Sequence, residues 1–252
     1  MKRISIEVCV DSVASALAAE RGGADRIELC SNLREGGITP SAGTIDVVRS
    51  RISLPVHVMI RPRSGNFCYS DDDFEIMRRD VLMAQKTGAH GVVLGILAPD
   101  RTVDLPRTSE LVQLARPLSV TFHRAFDLSS DLAAAREAVI SAGADRILTS
   151  GGKQTAMEAR SILANLVQAA KGRITILACG GINANNAAAT IRETGVKEIH
   201  VGLRRPMNGH PKRDYQRPAL SLSLGVGSEG DVQCYEVREE DVRELRSRVD
   251  AA

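Results

Sequence analysis

The sequence contains no tryptophan and few other aromatic residues, so its hydrophobic core has to be aliphatic. Aromatic residues make up 3% of the 252 residues, whereas hydrophobic residues as a whole make up 43% and charged residues 25%. The last two proportions are typical of a soluble globular protein. The composition therefore predicts a folded chain with a sizeable core built from branched aliphatic side chains and alanine.

The sequence also lacks an excess of charge of either sign. It has 33 basic and 31 acidic residues, for a net charge of +2, and no basic cluster is interleaved with aromatic residues that could stack on bases. Nucleic-acid-binding domains usually carry a strongly basic face. Nucleic acid is therefore not expected as a partner.

Signals for membranes or secretion are missing as well. The chain opens with MKRISIEVCV rather than an apolar leader, and no apolar run approaches the length of a membrane span. The cysteines are irregularly spaced and odd in number, which does not indicate a secreted disulfide framework. They lie at positions 9, 30, 68, 179 and 234. We expect a cytoplasmic protein with reduced thiols and no membrane partner.

Short runs rich in β-branched residues recur along the chain, with amphipathic segments between them. Strands that alternate with helices indicate parallel pairing through crossover connections. In the first connection, Asp11 or Ser12 is placed to cap a helix that Gly22 would stop. Helical patterns also fit 71–87, 130–142, 153–170 and 184–194. The predicted strands are 4–9, 25–30, 55–61, 90–96, 118–124, 145–150, 174–179 and 198–203.

Internal repeats favour a closed barrel over an open sheet. GADRIELC at 23–30 returns as GADRILTS at 143–150, four predicted strand–helix units later. Eight such units are typical of a (β/α)₈ TIM-type barrel, which we predict over 1–203. Residues 204–252 do not fit the repeat and form a C-terminal extension, packed on or trailing from the barrel, with a helix at 238–249. The alternative is a doubly wound open sheet, but the first strand-to-helix turn lacks its glycine-rich fingerprint.

The alternation along each strand predicts a polar lumen. Alternate strand residues face opposite sides of the sheet, and a typical barrel lumen is filled with branched apolar side chains. Buried charges must be paired, so a charge-balanced internal network without chemistry is one interpretation. Residues at the carboxyl ends of the strands, where barrel active sites lie, favour a functional one. The inward set includes Glu7, Cys9, Arg26, Glu28, Cys30, His57, Met59, Arg61, Thr121, His123, Arg146, Ser150, Glu198 and His200.

Seven sequence blocks resemble the CutC family, in the same order along the chain. They are EVCVDS (7–12), GGADRIELCSNL (22–33), GGITPS (36–41), MIRPRSGNFCYS (59–70), TFHRAFD (121–127), LTSG (148–151) and GGI followed by asparagine (180–183). The resemblance runs from the first strand to about residue 203. It implies a TIM-type barrel, a cytoplasmic setting, a homo-oligomer that is commonly a dimer, and a role in copper homeostasis. It implies no particular reaction.

The resemblance also implies a copper site, because two cysteines proposed to bind copper in the family match Cys9 and Cys30. Cu(I) prefers thiolate and thioether ligands, and the two thiols could share one ion if the first two strands pair in matching register. Cys179 and Met59 are candidates for a third ligand. Glu7 and Glu28 would disfavour thiolates unless Arg61 compensates. Alternatively, both cysteines are small buried core residues.

A rival hypothesis is an enzyme that acts on a small phosphorylated or carboxylated metabolite. Glu7, Glu28 and His123 are its acid–base candidates, and phosphate sites in many barrels lie in the last two strand–helix loops. The alternative is that the arginines anchor loops and His123 is a core imidazole. A third possibility is a scaffold protein, which an exposed apolar patch would support. The ligand-binding candidates are Arg61, Arg63, Arg124, Ser150, Gly180, Gly181 and His200.

Overall fold

The structure, a computed structural model, describes residues 3–207 and 234–251 and contains a closed barrel of eight parallel strands. Each strand pairs with the next along the chain, and the eighth pairs with the first. The (β/α)₈ prediction is thereby confirmed, and the open sheet is excluded. The strands are β1 (Ser5–Val10), β2 (Arg26–Leu29), β3 (Val56–Met59), β4 (Gly91–Leu94), β5 (Ser119–Phe122), β6 (Arg146–Thr149), β7 (Thr175–Ala178) and β8 (Glu198–Val201).

A helix follows each of the first seven strands. Sequence patterns had indicated five of these helices, whereas α2 and α4 lie in connections for which we predicted none. The predicted start of the sixth helix at 153 is also wrong, because the chain first makes a turn in which Ala156 N–H donates to the Gly180 carbonyl. The helices are α1 (Val13–Arg21), α2 (Ala42–Arg51), α3 (Asp71–Lys86), α4 (Leu105–Ala115), α5 (Leu132–Ser141), α6 (Arg160–Ala170) and α7 (Ala187–Thr194).

The C-terminal residues supply the helix that covers β8. A short antiparallel pair, β9 (Arg204–Pro206) with β10 (Tyr235–Val237), leads into α8 (Glu239–Asp250). This helix packs against α1 and α7, with Val242 and Leu245 fully buried. The part of the predicted extension at 208–233 lies outside the described residues. Within the rest, α8 completes the ring of helices and matches the helix predicted at 238–249.

The hydrophobic core lies between the strands and the helices. The outward-facing residues of β1 and β2, such as Ile6, Val8, Ile27 and Leu29, are fully buried there. Ser12 caps α1 by accepting a hydrogen bond from Ser15 N–H, which decides between the two predicted caps. In the described ranges, no helix has both the length and the apolar character required to cross a bilayer.

Candidate functional site

The barrel lumen holds a continuous network of charged side chains at its centre. Glu7 is fully buried and accepts a hydrogen bond from Arg26 Nε, while its second oxygen lies 2.7 Å from His200 Nδ1. Arg26 also donates to Glu198 (2.8 Å), which accepts a further bond from Arg146 (2.9 Å). Strand parity therefore placed these side chains in the lumen correctly. In the network, the carboxylates of Glu7 and Glu198 alternate with the guanidinium groups of Arg26 and Arg146.

Glu28 stands outside this alternation. One of its oxygens lies 3.8 Å from His200 Nε2, and the other has no hydrogen-bond partner among the described residues. The third predicted arginine, Arg61, does not balance it, because its guanidinium donates to the carbonyl oxygens of residues 35, 37 and 65 at 2.8, 2.9 and 2.9 Å. The charge-balanced network considered from sequence therefore does not extend to Glu28 and Arg61.

The two inner carboxylates differ in protonation because their surroundings differ. Burial alone would raise the pKa of Glu7, but Arg26 and His200 outweigh it and hold this pKa far below its usual value. Burial, reinforced by negative charge on Cys9, raises the pKa of Glu28 well above its usual value. Burial would also lower the pKa of His200, yet the neighbouring acidic groups raise it. The surroundings therefore favour the ionised form of Glu7, the protonated form of Glu28 and the protonated form of His200.

Cys9 and Cys30 form a thiol pair directly above these groups. Their sulfur atoms lie 3.9 Å apart, and Cys30 is fully buried while Cys9 is 7% exposed. The register is not the matching one considered from sequence, because Cys9 lies opposite Glu28 and Cys30 directly follows the last residue of β2. The side chains nevertheless converge, and Met59 and Val93 pack beside them.

The two thiols titrate very differently. The hydrogen bond from Cys30 lowers the pKa of Cys9 against the opposing effect of burial, and His200 lowers it further. The same hydrogen bond and burial raise the pKa of Cys30. Cys9 is therefore the thiolate of the pair, with His200 beside it, and Cys30 is the donor. The predicted compensation by Arg61 comes instead from His200.

Three ligand atoms in this cluster lie close enough together to hold one metal ion. The ligand atoms of Cys9, Glu28 and Cys30 all lie within 4.8 Å of one another. Cys179 instead belongs to a separate buried cluster, and burial raises its pKa to about 12. Two sulfur donors in an apolar shell suit Cu(I), which selects thiolates. Glu28 is a harder ligand and would be a neighbour rather than a preferred donor.

Three predicted ligand-binding residues are engaged in bonds within the protein. Arg63 donates to Asp73 (3.0 Å) and to the Cys68 carbonyl (2.7 Å), which fixes the loop after β3. Arg124 donates to Asp127 (2.8 Å) and to the Ser150 hydroxyl (2.8 Å). These contacts match the loop-anchoring alternative. Neither arginine faces the thiol pair.

The remaining predicted residues lie apart from the central cluster. His123 is buried at the end of β5 and packs against Phe67, with ring centroids 4.8 Å apart. Gly180 has φ +97° and lies so close to β6 that a Cβ would be 2.9 Å from Ser150 Cβ. The Gly181 carbonyl accepts from two side chains of the following turn. The glycine turn is therefore packed against the protein. His200 is the exception among these residues, because it lies in the charged network of the lumen.

Sequence reasoning missed two glycines that shape the lumen. A Cβ on Gly91 would lie 2.6 Å from the His57 ring, and one on Gly95 would lie 2.5 Å from the His123 ring. Each imidazole therefore occupies the space that a side chain at position 91 or 95 would fill if that residue were not glycine. The signal was present in HGVVLGI, where two glycines four positions apart share one face of a strand. Asp127 was also missed, although it accepts backbone N–H bonds from Ser150 and Gly152.

Comparison with known proteins gives a consistent family assignment. The model of the CutC family matches residues 4–204. The "Copper homeostasis protein cutC homolog" of Homo sapiens is 43% identical over 242 residues, which cover 96% of this chain and 86% of that protein. The family protein CutC of Chromobacterium violaceum is 41% identical over 247 residues, 98% of each chain. The crystal structure of the putative copper homeostasis protein CutC from Streptococcus agalactiae aligns with a TM-score of 0.74 at 34% identity, over 78% of this chain and 97% of that one.

Proposed function

The chain belongs to the CutC family, and on that premise we propose that it binds Cu(I) between Cys9 and Cys30 as part of copper homeostasis. The observation that carries the proposal is the 3.9 Å separation of the two buried sulfur atoms. Two buried thiols at this distance are close enough to share one soft ion. We propose the cytoplasm as the setting, because a reducing compartment keeps such a pair available for metal.

The surrounding groups support a monovalent cation in this position. Cys9 already carries the negative charge of a thiolate, and Cu(I) would displace the proton that Cys30 shares with it. Met59 and Val93 exclude water from the sulfur atoms and so favour a soft, weakly hydrated ion. Glu7 orients His200 through a 2.7 Å hydrogen bond, and His200 in turn stabilises the Cys9 thiolate.

The proposal is tested by titrating the reduced protein with Cu(I) in competition with a chromophoric chelator. Wild type should take up one Cu(I) per chain. Cys9→Ser and Cys30→Ser should each lower the affinity by at least about a hundredfold, because a hydroxyl is a poor ligand for a soft ion.

Two matched variants control for the other thiols. Cys68→Ser and Cys234→Ser remove free cysteines that lie outside the lumen cluster and are at least partly exposed, and they should bind like wild type. Equal Cu(I) affinity in all five proteins would reject the site, as would a loss that follows Cys68 or Cys234.

A second candidate function rests on His200, which lies between two carboxyl groups whose pKa values are shifted in opposite directions. A carboxyl group with a lowered pKa (Glu7) and one with a raised pKa (Glu28) on either side of one imidazole are an arrangement typical of acid–base catalysis. A TIM-barrel enzyme acting on a small phosphorylated or carboxylated metabolite would use it. Incubation of the purified protein with a metabolite released from it and identified by mass spectrometry tests this candidate: conversion that is lost in Glu28→Gln supports the enzyme, and an unchanged metabolite contradicts it. The homo-oligomer implied by the family resemblance stays a prediction.

A further inference from the structure

A buried guanidinium at the mouth of the barrel has no negative partner. Arg61 is 5% exposed, and three of its N–H groups donate to neutral carbonyl oxygens. Within residues 3–207 and 234–251, no carboxylate lies within 4.0 Å of it, and its Nε–H donates to nothing. Burying a positive charge without a counter-charge is costly. The position therefore suits an anion that the described residues do not supply.

A second donor without an acceptor packs on the same aromatic ring as this guanidinium. His123 is 3% exposed, and its Nδ1 accepts a hydrogen bond from Ala125 N–H, so the ring proton is on Nε2. Burial and the charge of Arg61 lower the pKa of His123 to about 3, which keeps the ring neutral. In the described parts of the chain, Nε2 has no partner. Both groups rest on Phe67, whose ring centre is 4.9 Å from the Arg61 guanidinium carbon and 4.8 Å from the imidazole centre.

A third donor comes from the loop between β3 and α3. Tyr69 is 7% exposed, and its hydroxyl has no hydrogen-bond partner among the residues described. Burial raises the pKa of this phenol to about 12, although the nearby charge of Arg61 acts in the opposite direction. The hydroxyl therefore keeps its proton and can donate at neutral pH.

We propose that Arg61, His123 and Tyr69 form a binding site for an oxyanion, the carboxylate or phosphate group of a small molecule. Arg61 Nε, His123 Nε2 and the Tyr69 hydroxyl each offer a donor without an acceptor among the described residues, so a group bound there needs several acceptor atoms. A water molecule could satisfy individual donors but would leave the guanidinium charge unpaired, whereas an oxyanion provides both. The site lies at the carboxyl ends of β3 and β5, on the face where barrel enzymes bind their substrates.

The proposed anion site adjoins the thiol pair through Gly37. The Gly37 carbonyl accepts from Arg61 Nη1 (2.9 Å), and a Cβ on this glycine would lie 3.1 Å from Cys30 Sγ. The anion site does not depend on copper, because none of its three donors is a thiol or contacts Cys9. A molecule bound at Arg61 would nevertheless lie close to the thiol pair, because Gly37 contacts both Arg61 and Cys30.

Calorimetric titration of the purified protein tests the proposal, with sodium phosphate and sodium acetate as separate probes. Wild type should bind at least one of them, and the probe that binds identifies the group. Tyr69→Phe removes only the hydroxyl, and His123→Asn keeps an acceptor for Ala125 N–H while removing the Nε2 donor. Each variant should weaken binding by about tenfold or more, since a hydrogen bond to a charged group contributes about 1.5–3 kcal/mol.

Two further variants make the result decisive. Thr108→Val removes another buried hydroxyl without a partner, on α4, and should bind the anion like wild type. Cys9→Ser should also keep anion binding, which separates this site from the copper site. The proposal is overturned if wild type binds neither probe at tens of millimolar, if Tyr69→Phe and His123→Asn bind like wild type, or if Thr108→Val weakens binding as much as they do.

Discussion

At the scale of single residues, the inner face of β4 determines where two imidazole rings can lie. Gly91 faces His57 and Gly95 faces His123, at distances that exclude any side chain on either glycine. His57 is thereby pressed into the lumen, 4.0 Å from Glu7. The absence of a Cβ at these two positions is as much a part of the site as the charged groups are.

Replacement of Gly91 by alanine tests this role. A Cβ at 2.6 Å from the His57 ring forces the imidazole or β4 to move, and such overpacking typically costs about 1–3 kcal/mol. Gly91→Ala should lower the free energy of unfolding in a urea titration by that amount. Gly43→Ala is the control, because its nearest neighbour would be 3.9 Å away and alanine is the better helix residue in α2. Equal stabilities of the two variants would contradict the interpretation.

Strand parity predicted which residues point inward, but not which partners they choose. Parity depends only on the two-residue repeat of a strand, so Glu7, Glu28 and His200 could be placed from sequence. Partner choice depends on the stagger between neighbouring strands and on loop shape. Arg61 therefore donates to carbonyl oxygens of loops rather than to a carboxylate. Cys30 contacts Cys9 although the two residues are not opposite each other in the strand register.

At the scale of elements, the N-terminus of α3 ties the loop after β3 to the barrel. Ser70 accepts from Asp73 N–H while Asp73 accepts from Ser70 N–H, and the same carboxylate accepts from Arg63. Such local signals are readable in sequence, and the helix was predicted within a residue. The start of α6 was not predicted correctly. Gly151 and Gly152 adopt φ of +66° and +70°, and the turn that follows them packs against the end of β7, which the local sequence does not reveal.

Loss of this capping box should be measurable as a loss of stability. Ser70→Ala removes the acceptor of Asp73 N–H and should lower the free energy of unfolding by about 1 kcal/mol. Ser247→Ala is the control, because this serine is exposed within α8 and should change stability by less than about 0.5 kcal/mol. Thermal and urea unfolding followed by circular dichroism give both values, and a cost for Ser70→Ala no larger than the control would contradict the capping role.

At the scale of the whole molecule, the buried histidines make stability depend on pH. Burial lowers the pKa of His57 to about 3, whereas an unfolded histidine titrates near 6.5. Between these values His57 binds a proton in the unfolded chain but not in the folded one, so its contribution to stability is full above pH 6.5 and falls as the pH is lowered. Each such histidine contributes up to about 1.4 kcal/mol per pH unit.

His57→Gln should therefore flatten the pH dependence of unfolding. Between pH 6.5 and 5, the slope of the free energy of unfolding against pH should be smaller than in wild type by up to about 1.4 kcal/mol per pH unit, because glutamine does not titrate. His90→Gln provides the comparison, since this imidazole is exposed and should contribute less. A slope in His57→Gln as steep as that of wild type would show that His57 is protonated in the fold.

The pairing of β1 with β8 has a consequence for how the chain reaches its native state. Glu7 takes one partner from β2, 19 residues away, and another from β8, 193 residues away. Until the last strand docks, its carboxylate lacks one of these two partners and the lumen remains open to solvent. Closure of the ring therefore also completes the pairing of a buried charge, which favours all-or-none assembly over a stable seven-stranded intermediate.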